Sequence, residues 1–341
     1  MPESPEVTHH FHPVLKASAL PAGRPVRVEL AGKAYALWRD RDGTPRAFLD
    51  RCPHRWAPLS RGVVRPDGRL QCRYHGWAFD GEGAGRCPSQ PSLPCSVPSF
   101  QLGERHGWLW LAEPSVGPEG LPQLDAPGFR LAGSLSMEAK APLHVVFDNF
   151  NEDEHTPFIH GRLGWDEHDA SKIEFSTSTH ADHIDVSYAA PQRASLLLPL
   201  VLIRQGDTFH NDWVVRFSPI HILYTLSWAD PHTGARRPVT MRFGIFFVPL
   251  DAVRTRIVAF VFTRIEGRLQ ALQAAIDKVI LGMAWKEIFD DARWVRAIAD
   301  TPYLHTGMRL DRYDAPLARS RKLMDRVYYR HPSAGELDAT G

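Results

Sequence analysis

Cys52-Pro53-His54 and Cys72-Arg73-Tyr74-His75-Gly76-Trp77 decide the reading of this chain: a C-x-H pair and a C-x2-H pair separated by seventeen residues. Two thiolates and two imidazoles at such short pairwise spacing are a metal-ligand set. Each short gap suits the tip of a hairpin, where two side chains converge on one metal. A zinc site of two cysteines and two histidines uses the same ligand types. The pairing separates the two readings. Zinc fingers join Cys to Cys and His to His, with the histidines usually on a helix, whereas each tip here carries one of each. Mixed pairs fit a two-iron, two-sulfur cluster in which one iron has two Cys ligands and the other two His.

The remaining composition is that of a soluble globular chain. Its 341 residues have room for two domains, 43% are hydrophobic, and the net charge of +1 gives no bulk attraction to nucleic acid. The opening MPESPEVTHHFHPV lacks a basic start followed by an apolar run, so no secretory signal is expected. No apolar stretch is long enough for a bilayer, and the longest, Leu196 to Ile203, reads as a buried strand or pocket wall. Four cysteines in this length make no disulfide framework. Cys87 and Cys95, in a Pro/Ser-rich loop, are expected as free thiols of a reducing cytoplasm.

Outward from the ligand tips, residues 8–115 read as short alternating strands with tight turns. Examples are Pro25 to Leu30, turned by Ala31-Gly32-Lys33, then Tyr35 to Arg39, Ala47 to Leu49, and a closing strand at His106 to Leu111. A Pro-rich connector from Glu113 to Phe129 follows. Beyond it, Ser134–Ala139, His183–Ala189, Trp213–Phe217, His221–Trp228, Val239–Val248 and Arg254–Thr263 are spaced as one large antiparallel sheet. From Arg268 to Ala299 the apolar period becomes helical, with Leu269, Leu272, Ile276, Val279 and Ile280 recurring at three and four. Ser333 to Gly341 read as a mobile polar tail.

A second chemical stretch runs from Asn149 to His160, NFNEDEHTPFIH. Asn149, Glu152 and His155 are three apart, so a helix through them puts them on one face. His160 lies five beyond His155, off that face, and Pro157 offers the break that turns it back. Two imidazoles and one carboxylate on one side of an iron leave its other positions open, the arrangement of non-haem Fe(II) oxygenases.

RCPHRWAPLSRGVV and CRYHGWAFD closely resemble the Rieske signature of ring-hydroxylating and demethylating oxygenases. The second stretch resembles the same family, whose pattern is N-x2-D-x2-H-x4-H. Pro13 to Arg55 and Arg312 to Arg321 are similar to the vanillate, dicamba and phthalate type of oxygenase subunit, so the resemblance extends from Phe11 to about Arg326. It implies an α+β fold: an antiparallel β Rieske domain at 8–115, then a helix-grip (START-like) catalytic domain at 130–328 with one large antiparallel sheet and a long C-terminal helix. It implies a [2Fe-2S] cluster on Cys52, His54, Cys72 and His75, and a mononuclear Fe(II) on His155 and His160. The family's third iron ligand is an acid on the long helix, which makes it Asp291, with Asp290 and Glu287 as alternatives.

Glu152 stands where the family has a bridging Asp between this iron and the cluster of a neighbouring subunit, with Asn149 one turn before it. Glu is one methylene longer, so the bridge requires an adjusted backbone or partner. The implied activity is monooxygenation, by hydroxylation or oxidative demethylation, of a small apolar or aromatic molecule. O2 and NAD(P)H electrons from a ferredoxin or flavin reductase would drive it in a homotrimer. The alternative is a Rieske electron carrier or binding protein without a competent second iron. Arg51, Arg55, Arg61, Arg65, Arg69 and Arg73 would form a basic rim for an acidic redox partner. Leu196–Ile203, His210, Trp213, Phe217, Tyr224, Phe243 and Phe247 are expected pocket wall.

Overall fold

Two hairpin turns set the register of the first half. Ala31-Gly32 and His106-Gly107 take positive φ at both positions, 50° and 74°, then 52° and 74°. This is the turn whose twist matches that of paired strands. The computed structural model describes residues 7–161 and 163–330, so the expected tail at Ser333–Gly341 lies outside the described residues. The chain divides into two units, Met1–Pro122 with Val248–Ala252, and Gln123–Phe247 with Val253–Gly341.

The first unit holds a six-stranded antiparallel sheet and a smaller four-stranded one. The strands are β1 (His12–Lys16), β2 (Val26–Leu30), β3 (Lys33–Arg39), β4 (Pro45–Leu49), β5 (Val63–Val64), β6 (Leu70–Gln71), β7 (Ala78–Phe79), β8 (Gly85–Arg86), β9 (Ser99–Arg105) and β10 (Trp108–Ala112). The large sheet runs β1-β10-β9-β4-β3-β2 and the small one β5-β6-β7-β8. Trp38, Phe48, Leu59, Leu70 and Phe79 form a core that includes Cys52 and Cys72. The two thiols are thereby anchored on packed side chains, not on a free loop.

The second unit is built on a seven-stranded sheet in the order β11-β17-β16-β15-β14-β13-β12. Its elements are β11 (Arg130–Ala139), α1 (Leu143–Asn151), α2 (Thr156–Ile159), β12 (Glu174–Thr179), β13 (His183–Pro191), β14 (Thr208–Phe217), β15 (Ile220–Ala229), β16 (Val239–Pro249), β17 (Thr255–Ile265), α3 (Gln273–Ala297) and α4 (Ala315–Leu323). The 25-residue α3 packs on β11 and meets α1. Among the described residues no helix is long and apolar enough to cross a membrane.

Leu196 to Ile203 is not the buried strand expected from its composition. It holds a 3-10 turn at Leu198–Val201, with Leu196 95% and Leu200 67% exposed. Pro199 lies in the first turn of that segment, and its missing N–H does not suit a ladder. The helical period read from Arg268 begins as a 3-10 turn, Gly267–Leu272, before α3 proper, and Leu272 is exposed.

Candidate metal centres

Cys52 and Cys72 open two loops with one backbone design. In the first, Cys52 N–H donates to Ala57 O (2.9 Å) and Trp56 N–H to Cys52 O (2.8 Å). In the second, Cys72 N–H donates to Trp77 O (2.8 Å) and Gly76 N–H to Cys72 O (2.9 Å). The fifth residue of each is left-handed, Trp56 at φ 59° and Gly76 at φ 76°. Glycine adopts this freely, whereas for Trp56 it costs about 1 kcal/mol. Within this shared frame the histidine is third in one loop and fourth in the other, which is why the spacings differ.

The thiols are buried, 1% and 2% exposed, and the imidazoles are exposed with ring centroids 4.6 Å apart. His54 also stacks on Trp77. Burial pushes the Cys52 thiol up to about 11, with Cys72 beside it adding to the rise and the His54 and Arg55 amides opposing it. A thiol that resists ionisation in an apolar floor becomes a thiolate when a bound metal ion neutralises it. The donor set therefore fits a cluster with a Cys-held iron inside and a His-held iron at the rim.

Around this tip Arg51, Arg55, Arg61, Arg65 and Arg73 are exposed and Arg69 is half-buried. Arg51 lies over the Trp56 ring at 4.6 Å and Arg55 over Tyr74 at 5.9 Å. Both rings are themselves well exposed. Tip residues thus combine positive charge with aromatic surface.

In the second unit the chain forms a different local shape from the one its spacing suggests. The helix expected to carry Asn149, Glu152 and His155 on one face ends at Asn151, and Glu152 is extended at φ −121°, ψ 160°. The Glu152 carboxylate turns back onto its own backbone, with Oε2 accepting Glu154 N–H (2.6 Å) and His155 N–H (3.3 Å). A side chain satisfying these amides competes with continuation of the helix. Pro157 starts the one-turn α2 instead of breaking a longer helix. His155 precedes that turn and His160 follows it, which brings both rings to one side.

The third corner comes from α3. Asp291 is buried with Ile288 and Val295, whereas Trp294, which the same spacing placed inward, is 55% exposed. Asp290 instead pairs with Lys286. His155 Nε2 lies 3.2 Å from His160 Nε2, and Asp291 Oδ1 lies 3.5 Å and 3.2 Å from them. Three donors each about 2 Å from one ion on one side of an octahedron stand about 3 Å apart, so this triangle fits a facial metal site.

Each donor has its own support. Asn149 Nδ2 donates to Asp291 Oδ1 (3.0 Å). Glu152 Oε1 bonds His155 Nδ1, and Glu287 Oε2 lies 2.5 Å from His160 Nδ1. Such outer contacts fix ring orientation at metal sites. Burial opposes charge on both rings, yet the acids win. Glu152 and Asp291 raise the pKa of His155, and Asp291 and Glu287 raise that of His160 to about 10. The pocket is built to hold a cation. Glu287, a weak ligand alternative in the sequence, is a histidine support here. Its place four residues before Asp291 is the signal that puts it on the same helix face.

Beside the triad lies a cavity of about 140 Å³. Its walls include Phe209, Leu226, Met241, Phe243, Ile280 and Met283. One side is polar. Buried Asp153 accepts from Trp165 Nε1 (3.1 Å) and Thr156 Oγ1 (3.0 Å), and Asn211 Nδ2 donates to the Tyr188 hydroxyl Oη (3.4 Å). Asn211 Oδ1 is buried without a hydrogen-bond partner among the described residues. Of the expected wall, Tyr224 and Phe243 line the cavity, while His210, Trp213, Phe217, Phe247 and Leu196–Ile203 do not. Phe217 and Phe247 instead pack on Phe147. His210 falls between Phe209 and Asn211 in β14, where side chains alternate faces.

Residues 10–101 match the Rieske [2Fe-2S] domain family. This segment is a Rieske domain. The matched range includes both ligand loops. Curated relatives extend the likeness. Protein TIC 55, chloroplastic, of Arabidopsis thaliana is 32% identical over 169 residues, 46% of this chain and 31% of that protein. The oxygenase component of dicamba O-demethylase of Stenotrophomonas maltophilia is 34% identical over 149 residues, 40% of this chain and 43% of that protein. The chain thus spans less than half the length of these relatives. Among solved structures, dicamba monooxygenase bound to dicamba superposes with TM-score 0.76 at 20% identity over 99% of this chain and 100% of that one. NdmA of Pseudomonas putida with caffeine gives 0.70 at 21% identity over 95% and 91%. The Rieske domain is therefore joined to a second unit, and the whole has the fold of dicamba monooxygenase.

Proposed function

We propose that this chain is the terminal oxygenase component of a monooxygenase system, with 8–115 as its redox domain and 130–328 as its catalytic domain. The observation that carries the proposal is the His155–His160–Asp291 triangle beside an apolar cavity in a chain with a Rieske domain. In this reading Cys52, His54, Cys72 and His75 hold the cluster, and His155, His160 and Asp291 hold Fe(II). When bound, the cluster supplies electrons singly and the mononuclear iron supplies open positions for O2. The electrons come from NAD(P)H through a ferredoxin or flavin reductase. We place its work in the cytoplasm, where Cys87 and Cys95 would stay free thiols.

The chain's own residues divide the remaining work. Asn149 holds Asp291, Glu287 holds His160 and Glu152 holds His155. Oε2 of Glu152 already accepts two amides, whereas Oε1 accepts one ring N–H and keeps a lone pair. We assign that lone pair to His54 or His75 of another copy, in a homotrimer. Charge supports the pairing. The groove at Glu152 and His155 also holds Glu154, Asp314, Phe158 and Leu310, while the Rieske tip offers arginines, Trp56 and Tyr74. Acid and apolar surface meet base and aromatic surface.

The cavity favours a flat apolar or aromatic substrate that carries one polar group for the Tyr188–Asn211 side. Dicamba and caffeine, bound by two proteins of this fold, are of that kind. Glu for Asp at position 152 is the feature that favours the electron-carrier alternative, and the compact triad weighs against it. The test is a single turnover. The chemically reduced protein is given 18O2 with a panel of methoxylated benzoates and N-methylated purines. Label should enter a hydroxylated product or released formaldehyde, and reoxidation without labelled product across the panel would favour a carrier.

The arginine rim gives a separate expectation. Reduction by an acidic ferredoxin should slow about tenfold between roughly 0.05 and 0.5 M salt, because steering between exposed charges is screened. Stopped-flow rates that ignore ionic strength would remove the rim from partner recognition.

A further inference from the structure

The hairpin between β12 and β13 carries His180, Asp182, His183 and Asp185. His180 N–H donates to His183 O (2.9 Å), so these two residues face each other across a tight turn. Asp185, two along β13, shares the face of His183. The two imidazoles stack with centroids 4.3 Å apart and planes 9° from parallel. Both turn Nε2 toward one oxygen, Asp185 Oδ2, at 3.0 Å from His180 and 3.6 Å from His183.

His183 Nδ1 lies 2.7 Å from Asp182 Oδ1. A carboxylate only accepts, so Nδ1 carries a proton, and in the tautomer this selects Nε2 presents a lone pair. That lone pair faces Asp185, another acceptor. Two acceptors held together are reconciled by a cation between them. A ligating histidine normally donates its other ring N–H to a carboxylate, which is the relation of His183 to Asp182. The hairpin is also braced, with Arg319 donating to Thr179 Oγ1 (3.2 Å) and Arg326 to Ala181 O.

We propose that His180, His183 and Asp185 form a surface site for a divalent transition-metal ion of the Zn2+ or Ni2+ class, with Asp182 orienting His183. Imidazole nitrogen with one carboxylate suits these ions. The site shares no residue with the His155–His160–Asp291 triad and stands whether or not the chain is an oxygenase. Arg216, the cross-strand neighbour of His183, adds opposing charge. The expected affinity is therefore modest, on the order of 10 µM.

The test titrates ZnCl2 into the full iron-loaded chain by calorimetry, then measures bound zinc and retained iron by equilibrium dialysis against zinc above the expected dissociation constant. The site takes up about one zinc per chain with no loss of iron. His183→Ala and Asp185→Asn each weaken uptake at least about tenfold, and Asp182→Ala weakens it about tenfold through ring orientation. Melting temperatures show that the variants fold, and His180→Asn gives a milder second variant. A doubly protonated His183 would satisfy the same contacts without a metal. No uptake up to millimolar zinc would overturn the site. So would zinc that enters as iron leaves, or binding undiminished in the His180→Ala/His183→Ala double variant.

Discussion

Glu152→Ala will retain both the cluster and the mononuclear iron, at saturating Fe(II), and lose about two orders of magnitude in turnover. Glu152 supplies no metal ligand, so the triangle of His155, His160 and Asp291 survives its loss. What disappears is the one group on His155 Nδ1 with a spare acceptor site. The sharper readout is the rate at which a pre-reduced cluster reoxidises when substrate and O2 are present. That rate should fall with turnover in Glu152→Ala and recover in part in Glu152→Gln, which keeps a carbonyl acceptor of the same length. Glu152→Asp is informative because aspartate, one methylene shorter, cannot hold both backbone amides and His155 as Glu152 does. Unchanged reoxidation in Glu152→Ala would mean that electrons do not pass this side chain, and the groove around it would lose its assigned partner.

His160→Ala or Asp291→Ala will lose the mononuclear iron and all oxygenation, with the visible spectrum of the cluster unchanged. The separation follows from architecture. The cluster loops rest on Trp38, Phe48, Leu59 and Phe79 of the first unit, whereas the triad and its supports belong to the second. Asp291→Ala also leaves Asn149 Nδ2 without its acceptor, and the two remaining supports, Glu152 and Glu287, around two rings with no third corner. Asp290→Ala is the matched control. Its exposed-side partner Lys286 makes an i,i+4 pair, worth at most about 1 kcal/mol at such a position, so iron and activity should stay. Loss of iron from Asp290→Ala, with Asp291→Ala unaffected, would reverse the assignment on α3.

How much of this was legible in the sequence depended on whether the information was local. The cysteine–histidine spacing was local, and so were the Ala31-Gly32 turn and the long β-rich runs of β15 to β17. Strand β9, Ser99-Phe100-Gln101-Leu102-Gly103-Glu104-Arg105, lacks a regular apolar alternation and was not legible. The identical backbone of the two ligand loops was hidden by their different histidine positions. The helical reading of 149–155 failed because spacing carries no account of Glu152 folding back onto the amides of Glu154 and His155. Glu287 was visible only as a possible ligand, since its contact to His160 Nδ1 joins residues far apart in sequence. Pocket wall was least legible. Tyr224 and Phe243 differ from Trp213 and Phe247 only in which part of the sheet covers the triad, a long-range property of strand order.

The most direct test of the account is iron and acid-labile sulfide per chain in protein purified without metal-affinity resin, so that the β12–β13 hairpin adds nothing. The account predicts about three irons and two sulfides, one iron more than a lone Rieske cluster requires. About two irons with two sulfides, unchanged by incubation with Fe(II), would contradict it.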